Sequence, residues 1–207
     1  MIGRRLAQGV AILATLTVAQ VVTDRWDLVS HEDPPFVRHA ELGHVAHLSY
    51  ADVEVTDVRP AQHLSPQDSE ELARKAGGVF VLVTAKLTAT RAPVGFYTVR
   101  LVGSDGRIYE TSQKSTCDPS ATSATGIPTY ALFCFDVPTG ALPGLHFQVA
   151  RGSNLGNDID GDDLADIDLR ISTHDAATWK GTTAAYLVEP ADIRPLELRT
   201  VTLTESS

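Results

Sequence analysis

The sequence predicts an all-β domain, a sandwich or a barrel, preceded by an apolar N-terminal segment. Three observations support this fold class. Short segments in which apolar and polar residues alternate recur through most of the chain after residue 44. Turn-forming residues separate these segments, and helical periodicity is rare. The continuous apolar stretch Leu6–Val22 stands apart from this pattern and lies at the N-terminus.

The apolar stretch Leu6–Val22 directly follows Arg4 and Arg5. It just reaches the lower limit of about 17 residues for a membrane-spanning helix, and the two arginines would stay in the cytoplasm. We therefore expect residues 1–25 to form a signal anchor, with a single pass through the cell membrane and an extracytoplasmic C-terminal domain. The alternative is a cleaved signal peptide cut near Ala19, which would give a secreted protein.

Length and charge limit the possible partners. The chain has 207 residues, a formal net charge of −9 and a pI near 5.1. Neutralising nucleic-acid phosphates requires patches of Lys and Arg, so no nucleic acid is expected as a partner. We expect contact with the membrane through the N-terminal helix and with a protein partner in the cell envelope.

The region before the strands predicts a linker, and one helix is predicted among the strands. Residues 26–43 are charged and contain two consecutive prolines, which favours extended backbone. The domain proper is then expected at residues 44–207. Within it, Ser65 suits the cap of a short inserted helix, Pro66–Ala76, and the glycine pair that follows ends it.

The remaining segments predict strands. Val79–Thr90 has one apolar face and a second face that begins with Phe80 and Leu82 and then becomes polar. The Asp105-Gly106 dipeptide predicts a tight hairpin turn. No tryptophan lies between the two cysteines, so the resulting sandwich is immunoglobulin-like only in architecture. The candidate strands are His44–Thr56, Val79–Thr90, Phe96–Val102, Ile108–Ser112, Tyr130–Val137, Leu145–Arg151, Ile167–Ile171, Ala184–Val188 and Leu196–Leu203.

The two cysteines, Cys117 and Cys134, predict a disulfide. In an exported chain a pair is more often bridged than free. The bridge would tie a loop rich in Ser, Thr, Gly and Pro to the strand that follows it, and is expected to stabilise the fold by about 3 kcal/mol. The alternative is a catalytic thiol, which needs an activating His or Lys, and no local motif supplies one.

The segment from Asn157 to Asp166 is the sharpest local motif. Asp158, Asp160, Asp162 and Asp166 fall at positions 1, 3, 5 and 9, a spacing that can present several oxygen ligands to calcium. The segment resembles the calcium loops of integrin-type propeller repeats, although Asp163 stands where those loops favour glycine. The alternative is a solvated acidic turn before a strand. Apart from this possible calcium ion, no cofactor is expected.

No motif in the sequence indicates catalysis. The chain lacks the nucleophile elbow, the phosphate-binding loop, the dinucleotide fingerprint and the zinc-protease motif, and we expect it not to be an enzyme. His39, His44 and His47 have a spacing that could suit a metal, but they also suit a hydrated surface near the membrane linker. Trp179 is expected in a short helical turn, packed against the core rather than serving as a ligand platform.

Three segments carry a resemblance to a known family: Gly77–Val83, Val102–Tyr109 and Phe133–Pro138. Together they resemble an exported domain of unknown function from Gram-positive, especially actinobacterial, envelopes. That family is an immunoglobulin-like sandwich related to a small secreted mycobacterial antigen, and its members are sometimes mislabelled as telomeric repeat-binding factors. The resemblance covers roughly residues 45–171 and implies a tethered or secreted sandwich, with no catalytic residues to transfer.

The sequence therefore favours a non-enzymatic, membrane-anchored β-sandwich in the cell envelope. It would act as an interaction module or as an accessory subunit of a membrane or cell-wall complex. The alternative is an exported ligand-binding protein, or a binding protein stabilised by calcium.

Overall fold

A computed structural model describes residues 34–65, 73–112, 117, 119–152, 162–188 and 191–200. The chain from Pro34 onward forms one compact unit. No helix in these described ranges is long and apolar enough to cross a membrane. The predicted anchor Leu6–Val22 lies outside them, so it stays a prediction.

The described part of the chain is mostly β-strand with one short α-helix and one turn of 3-10 helix at Thr139–Ala141. The α-helix, α1, is Thr173–Trp179. The strands are β1 (Phe36–Glu41), β2 (Val45–His47), β3 (Ala51–Ser65), β4 (Arg74–Ala89), β5 (Val94–Phe96), β6 (Thr98–Val102), β7 (Ile108–Glu110), β8 (Ala121–Ser123), β9 (Thr129–Val137), β10 (His146–Ala150), β11 (Asp163–Asp168) and β12 (Ala185–Leu187).

Within the described residues, these strands form a β-sandwich with two main sheets. The first sheet has the order β1-β11-β10-β6-β7, and the second has the order β12-β3-β4-β9, with β2 also paired to β3. Neighbouring strands are antiparallel except for β1 with β11 and β12 with β3, which run parallel. A small ribbon of β5 and β8 is formed beside them. The expected sandwich is therefore confirmed.

The main core lies between the two sheets and is built from the alternating residues of their facing strands. On β4 the face formed by Val79, Val81, Val83, Ala85 and Leu87 is buried in it, as the alternation predicts. Two phenylalanines of β9 reach across to β10. The ring of Phe133 lies 5.6 Å from that of Phe147, and the ring of Phe135 lies 6.3 Å from it. These aromatic contacts join the two sheets directly.

A second, smaller core covers the outer face of the second sheet. Phe80 and Leu82 of β4 pack there with Leu132 and Cys134 of β9. Val188 and the partly buried Tyr186, Leu196 and Leu198 complete this cluster from the C-terminal part of the chain. The second apolar face that the sequence showed at Phe80 and Leu82 therefore has its own packing partners.

Local turn and cap chemistry also agrees with the sequence. Gly106 has a φ of 78°, a conformation that glycine adopts without strain, at the turn between β6 and β7. Gly103 N donates to Arg107 O at 2.8 Å to close that hairpin. The helix α1 begins with a capping box in which Ser172 and Asp175 bond each other's backbone. Trp179, at its end, packs against the main core as predicted.

Several boundaries differ from the sequence prediction. The predicted strand His44–Thr56 is divided into β2 and β3, and β3 continues to Ser65. Of the predicted strand Leu196–Leu203, the described residues 196–199 do not form a strand. Strand β1 lies within residues 26–43, which were expected to be a linker, so the folded unit extends back to Pro34. The predicted helix Pro66–Ala76 is wrong at its end, because Arg74 and Lys75 begin β4 and pair with Leu64 and His63 of β3. Pairing with a neighbouring strand overrides local helix propensity here. Residues 66–72 lie outside the described ranges.

A further difference concerns β11. The sequence places a strand at Ile167–Ile171 after an acidic turn, whereas the strand spans Asp163–Asp168. Asp163 and Asp166 are only 4% and 8% exposed. Charged residues in sequence suggest a hydrated loop, but these two carboxylates have hydrogen-bonding partners on adjacent strands, which makes their burial possible.

Candidate functional site

An open cleft of about 450 Å³ lies where three chain segments meet. These are residues 49–50 between β2 and β3, residues 91–95 together with Tyr97 around β5, and residues 151–152 after β10. We call this the arginine cleft, after Arg91 and Arg151 in its lining. Its volume falls in the range typical of small-molecule sites, about 300–1,000 Å³.

Backbone hydrogen bonds hold the three segments together. Thr90 N donates to Tyr50 O at 2.9 Å, which joins the end of β4 to the start of β3. Tyr97 N donates to Arg151 O at 3.3 Å, which joins the β5 region to the end of β10. The cleft is therefore formed by backbone that both sheets position.

Tyr50 is the buried anchor of the cleft wall, with 5% of its surface exposed. Its hydroxyl donates to Asp163 O at 2.8 Å and accepts from Arg151 N at 3.1 Å. Burial is the main cause that raises the pKa of Tyr50 to about 12. The phenol therefore stays protonated and keeps both hydrogen bonds across the ordinary pH range.

Arg151 is held from two sides. Its guanidinium carbon lies 4.7 Å from the centre of the Tyr50 ring, a cation–π geometry. Its Nε donates to Asp162 Oδ2. Two fixed contacts orient the guanidinium group, and its terminal nitrogens add further donors in the same plane.

Arg91 differs from Arg151 because it has no ion-pair partner in the described part of the chain. It follows Thr90 in the turn between β4 and β5, and its side chain is exposed. The cleft therefore carries a positive charge that no described carboxylate neutralises, in a protein whose net charge is −9.

Two glycines allow close packing in the cleft wall. A Cβ added to Gly95 would lie 2.5 Å from the Tyr97 ring, so that ring rests directly on the Gly95 backbone. A Cβ on Gly152, whose φ is 43°, would lie 2.5 Å from Thr98 Oγ1. Any side chain at these positions would have to displace its neighbour.

Asp163 stabilises the turn that carries the cleft residue Ser49. Arg38 Nε lies 3.0 Å from its Oδ1, and Ser49 N donates to its Oδ2 at 2.6 Å. Burial alone would raise the pKa of this carboxyl group. The hydrogen bonds from Ser49 and the Arg38 guanidinium outweigh that effect and hold the pKa of Asp163 below its ordinary value. Asp163 is therefore ionised at neutral pH and fixes the turn that carries Ser49.

The chemistry of the cleft is that of a donor site. Guanidinium groups offer planar pairs of N–H donors that match the oxygens of a carboxylate or a phosphate. The described residues that line the cleft include no carboxylate, imidazole or thiol. The arrangement is suited to holding an anion.

The structure describes two of the four carboxylates of the predicted calcium loop. Asp162 bonds Arg151, whereas Asp166 Oδ2 lies 3.0 Å from His39 Nδ1. Four residues of extended chain place their Cα atoms about 13 Å apart, too far to share one cation with bonds of about 2.4 Å. Asp158 and Asp160 lie outside the described residues, so a calcium site at this loop stays a prediction, without Asp162 and Asp166 as joint ligands.

Asp166 instead belongs to a polar row across the outer face of the first sheet. His39 and Gln148 are its direct neighbours on β1 and β10, and Gln148 Nε2 donates to Asp166 Oδ1 at 3.3 Å. Arg100 Nε continues the row to Gln148 Oε1 at 3.0 Å, and His146 Nδ1 lies 3.3 Å from Asp166 Oδ1. This row satisfies the hydrogen-bonding capacity of a nearly buried carboxylate.

The three histidines with metal-like spacing go to separate places. His39 faces Asp166, His47 Nδ1 lies 2.7 Å from Asp52 Oδ1, and His44 is exposed in the turn before β2. In the ranges that the structure describes, no group of three or more His, Cys, Asp or Glu side chains could hold a metal ion.

Cys117 and Cys134 are joined in the structure, with their Cα atoms 5.8 Å apart. Both are buried, at 8% and 0% exposure, and both belong to the second core. Cys134 lies in β9, so the bridge ties the preceding loop to that strand as the sequence predicts.

No sequence motif marks Arg91, Tyr97 and Arg151 as site residues. One signal was available in this acidic chain, because Arg91 follows the predicted strand Val79–Thr90 and Arg151 ends the predicted strand Leu145–Arg151. That signal does not show that the two strand ends adjoin, since this depends on how the two sheets pack.

Comparisons with known proteins give two distant structural similarities and no match in sequence. No family model matches the chain, and no curated protein matches it in sequence. Among solved structures, the yjhA protein of Bacillus subtilis has a TM-score of 0.47 at 11% identity, covering 62% of this chain and 99% of its own. An uncharacterized β-sandwich protein of Clostridium difficile has a TM-score of 0.37 at 10% identity, covering 65% of this chain and 96% of its own.

Proposed function

We propose that this chain is a non-enzymatic cell-envelope protein, anchored in the membrane by Leu6–Val22, whose extracytoplasmic sandwich acts by binding. It serves as an interaction module or as an accessory subunit of a membrane or cell-wall complex. Arg4 and Arg5 before the apolar stretch support this orientation. Secretion after cleavage near Ala19 would keep the same domain on the same side.

The observation that carries the proposal is the Cys117–Cys134 bridge. Structural disulfides persist in oxidising compartments and are rare in the cytosol. This bridge is buried in the second core, where it connects a loop to β9, so its role is structural. An apolar N-terminal segment and a buried disulfide are independent features, and both favour export.

The resemblance noted in the sequence supports the same conclusion at a finer level. An exported immunoglobulin-like domain of the actinobacterial type would have two packed sheets and a tether, without catalytic residues. The two packed sheets agree with the architecture in that picture.

Protease accessibility in intact cells tests the proposal. The full chain carries a C-terminal epitope tag, and cells are treated with an external protease before and after lysis. We expect the tag to be lost without lysis, the chain to be in the membrane fraction, and N-terminal sequencing to give a start before Gln20. Replacing Arg4 and Arg5 by Glu should weaken this orientation, whereas the matched control Arg25→Glu should preserve it. A tag protected until lysis, with both cysteines open to alkylation, would refute export.

In-cell cross-linking tests the interaction role. We expect a reproducible cross-linked species in the membrane fraction. It should disappear when an unrelated tagged domain replaces residues 34–207 on the same anchor. Recovery of the uncross-linked chain alone would count against an accessory subunit.

A second candidate function is ligand binding by the exported domain, and the arginine cleft favours it. Arg91, which has no ion-pair partner among the described residues, and the fixed guanidinium of Arg151 are features of a binding site. Stabilisation by calcium at the acidic loop that contains Asp158 and Asp160 is a separate version of this candidate, which melting curves with calcium and with chelator test.

A further inference from the structure

We propose that the arginine cleft binds a small organic oxyanion, with its carboxylate or phosphate group between Arg91 and Arg151 and its apolar part against Tyr97 and Pro93. This rests on the ligand-binding candidate above and deepens it by naming the ligand class. It does not depend on how the chain is anchored.

Charge is the first reason. Both arginines line one cleft in a protein with a net charge of −9, and Arg91 has no ion-pair partner among the described residues. Arg151 keeps its terminal donors in a fixed plane because its Nε bonds Asp162 and its guanidinium rests on the Tyr50 ring. A fixed guanidinium loses little conformational freedom when it binds an anion.

Rigidity of the wall is the second reason. Tyr50 is held by two hydrogen bonds, and the Tyr97 ring lies against the Gly95 backbone, where an added Cβ would be 2.5 Å from it. Asp163 fixes Ser49 N and its turn at the opposite side. The cleft therefore exists before any ligand arrives, which is the usual state of small-molecule sites.

Shape and polarity are the third reason. The cleft holds about 450 Å³, more than a simple inorganic anion fills. Pro93 and the half-exposed Tyr97 ring, 41% accessible, form an apolar surface beside the two arginines. A ligand with an anionic group and a ring or short hydrocarbon part would satisfy both surfaces at once.

Binding to the full chain in neutral detergent tests the proposal, with four probes: inorganic phosphate, glycerol 3-phosphate, phenyl phosphate and benzoate. Calorimetry gives the affinities. We expect saturable binding, with phenyl phosphate several-fold tighter than inorganic phosphate because of the Tyr97 and Pro93 surface. Glycerol 3-phosphate carries the headgroup chemistry of an anionic lipid. If it bound more tightly than phenyl phosphate, a polar headgroup would be the better ligand and the apolar part of the proposal would be overturned.

Matched variants locate the site. Arg91→Gln should weaken phenyl phosphate binding about 10-fold or more, since a hydrogen bond to a charged group contributes about that much. Arg107→Gln removes the same charge from the hairpin at the other end of β6, where Arg107 is exposed, and should change the affinity less than about 2-fold.

A second pair of variants tests the wall without changing charge. Gly95→Ala should displace the Tyr97 ring and weaken phenyl phosphate binding more than phosphate binding. Gly140→Ala, where an added Cβ meets nothing within 4 Å, is its control. The proposal would be overturned if Arg91→Gln and Arg107→Gln lowered the affinity for phenyl phosphate equally, or if no probe bound saturably. Neither result would bear on export, which the protease experiment measures separately.

Discussion

Tyr50 links the two sheets through a single hydroxyl group. The residue directly precedes β3 of the second sheet, while its hydroxyl bonds Asp163 O in β11 and Arg151 N after β10 of the first sheet. Removing that oxygen would leave a buried carbonyl and a partly buried amide without this partner. Buried polar groups without a hydrogen-bond partner lower the stability of the fold, because water cannot replace the lost bond.

Tyr50→Phe should therefore lower the free energy of unfolding by about 1–3 kcal/mol. The matched variant Tyr97→Phe removes a hydroxyl from an exposed ring and should change it by less than about 0.5 kcal/mol. Urea titration followed by fluorescence measures both. Equal effects of the two substitutions would show that the Tyr50 hydroxyl has no special structural role.

Asp163 makes stability depend on acid. Its pKa is lower in the folded protein than in the unfolded chain, so its ionised form stabilises the fold above the unfolded pKa. That contribution is lost as the pH falls through the folded pKa. We expect the urea midpoint of the wild type to decrease as the pH is lowered from 6 to strongly acidic values. Asp163→Asn should lower stability at pH 6 by about 2 kcal/mol and show a smaller acid loss.

A surface pair provides the control for Asp163. Asp57 Oδ2 lies 2.6 Å from Arg59 Nε, but the Asp57 side chain is 39% exposed. Asp57→Asn should therefore lower the free energy of unfolding at pH 6 by less than about 1 kcal/mol. If Asp163→Asn and Asp57→Asn had the same pH profile, burial and the Ser49 contact would not be what makes Asp163 important.

At the level of elements, β9 receives support from both cores and from the disulfide. Cys134 lies between Phe133 and Phe135, so adjacent residues of β9 face the second core and the main core in turn. The bridge to Cys117, 17 positions earlier, restricts the loop before β9 in the unfolded chain. In the chain-entropy picture, a loop of this length corresponds to about 3 kcal/mol.

Reduction should therefore lower the free energy of unfolding by about 3 kcal/mol. The measurement is a urea titration with and without reductant. The variant with both Cys117→Ala and Cys134→Ala should not respond to reductant. Identical midpoints for the oxidised and reduced wild type would mean that the bridge restrains nothing.

The segment before β11 is where the calcium prediction is decided. If calcium binds the folded state at a hundredfold excess over its Kd, the melting temperature should be about 5 °C higher with calcium than with chelator. Asp160→Ala should abolish this difference. Asp166→Asn should preserve it, because Asp166 is bonded to His39 and Gln148 instead. Superimposable melting curves would eliminate the calcium site.

The positions of the strands were more predictable from sequence than the contacts between them. Alternation placed β6, β9 and β10 close to their observed bounds, because one face of each strand is buried against apolar neighbours. It identified β4 from Val79 onward but missed residues 74–78. The cysteine pair also followed from sequence. The start of β11 did not, because the burial of Asp163 depends on Arg38 and Ser49, both more than 110 positions away in sequence.

At the scale of the whole molecule, the arginine cleft shows the same limit. Its lining comes from residues 49–50, 91–95, 97 and 151–152, which the packing of both sheets brings together. The sequence places Arg91 and Arg151 at the ends of predicted strands, but composition and local spacing do not show that these ends meet, and a net charge of −9 does not favour an anion site. A site assembled from strand ends becomes visible only when the sheet order is known.

The parallel pairing of β1 with β11 affects the order in which the strands can pair during folding. These strands meet across a long separation, 127 positions for His39 and Asp166. By contrast, β3, β4 and β9 pair as antiparallel neighbours within a shorter stretch of chain. Contacts between distant residues form slowly, because the entropy cost of closing a long loop comes before the contact can stabilise the chain.

A chain that emerges N-terminus first would therefore present β1 long before its partner arrives. During that interval Phe36 and Val37, which are 63% and 41% exposed even in the finished fold, would stand on an unpaired strand open to proteases and to other chains. The docking of Asp163–Asp168 beside β1 would have to wait until β11 has emerged. A chain cut short before Asp163 would keep this unprotected edge permanently, and quality-control proteases should remove it.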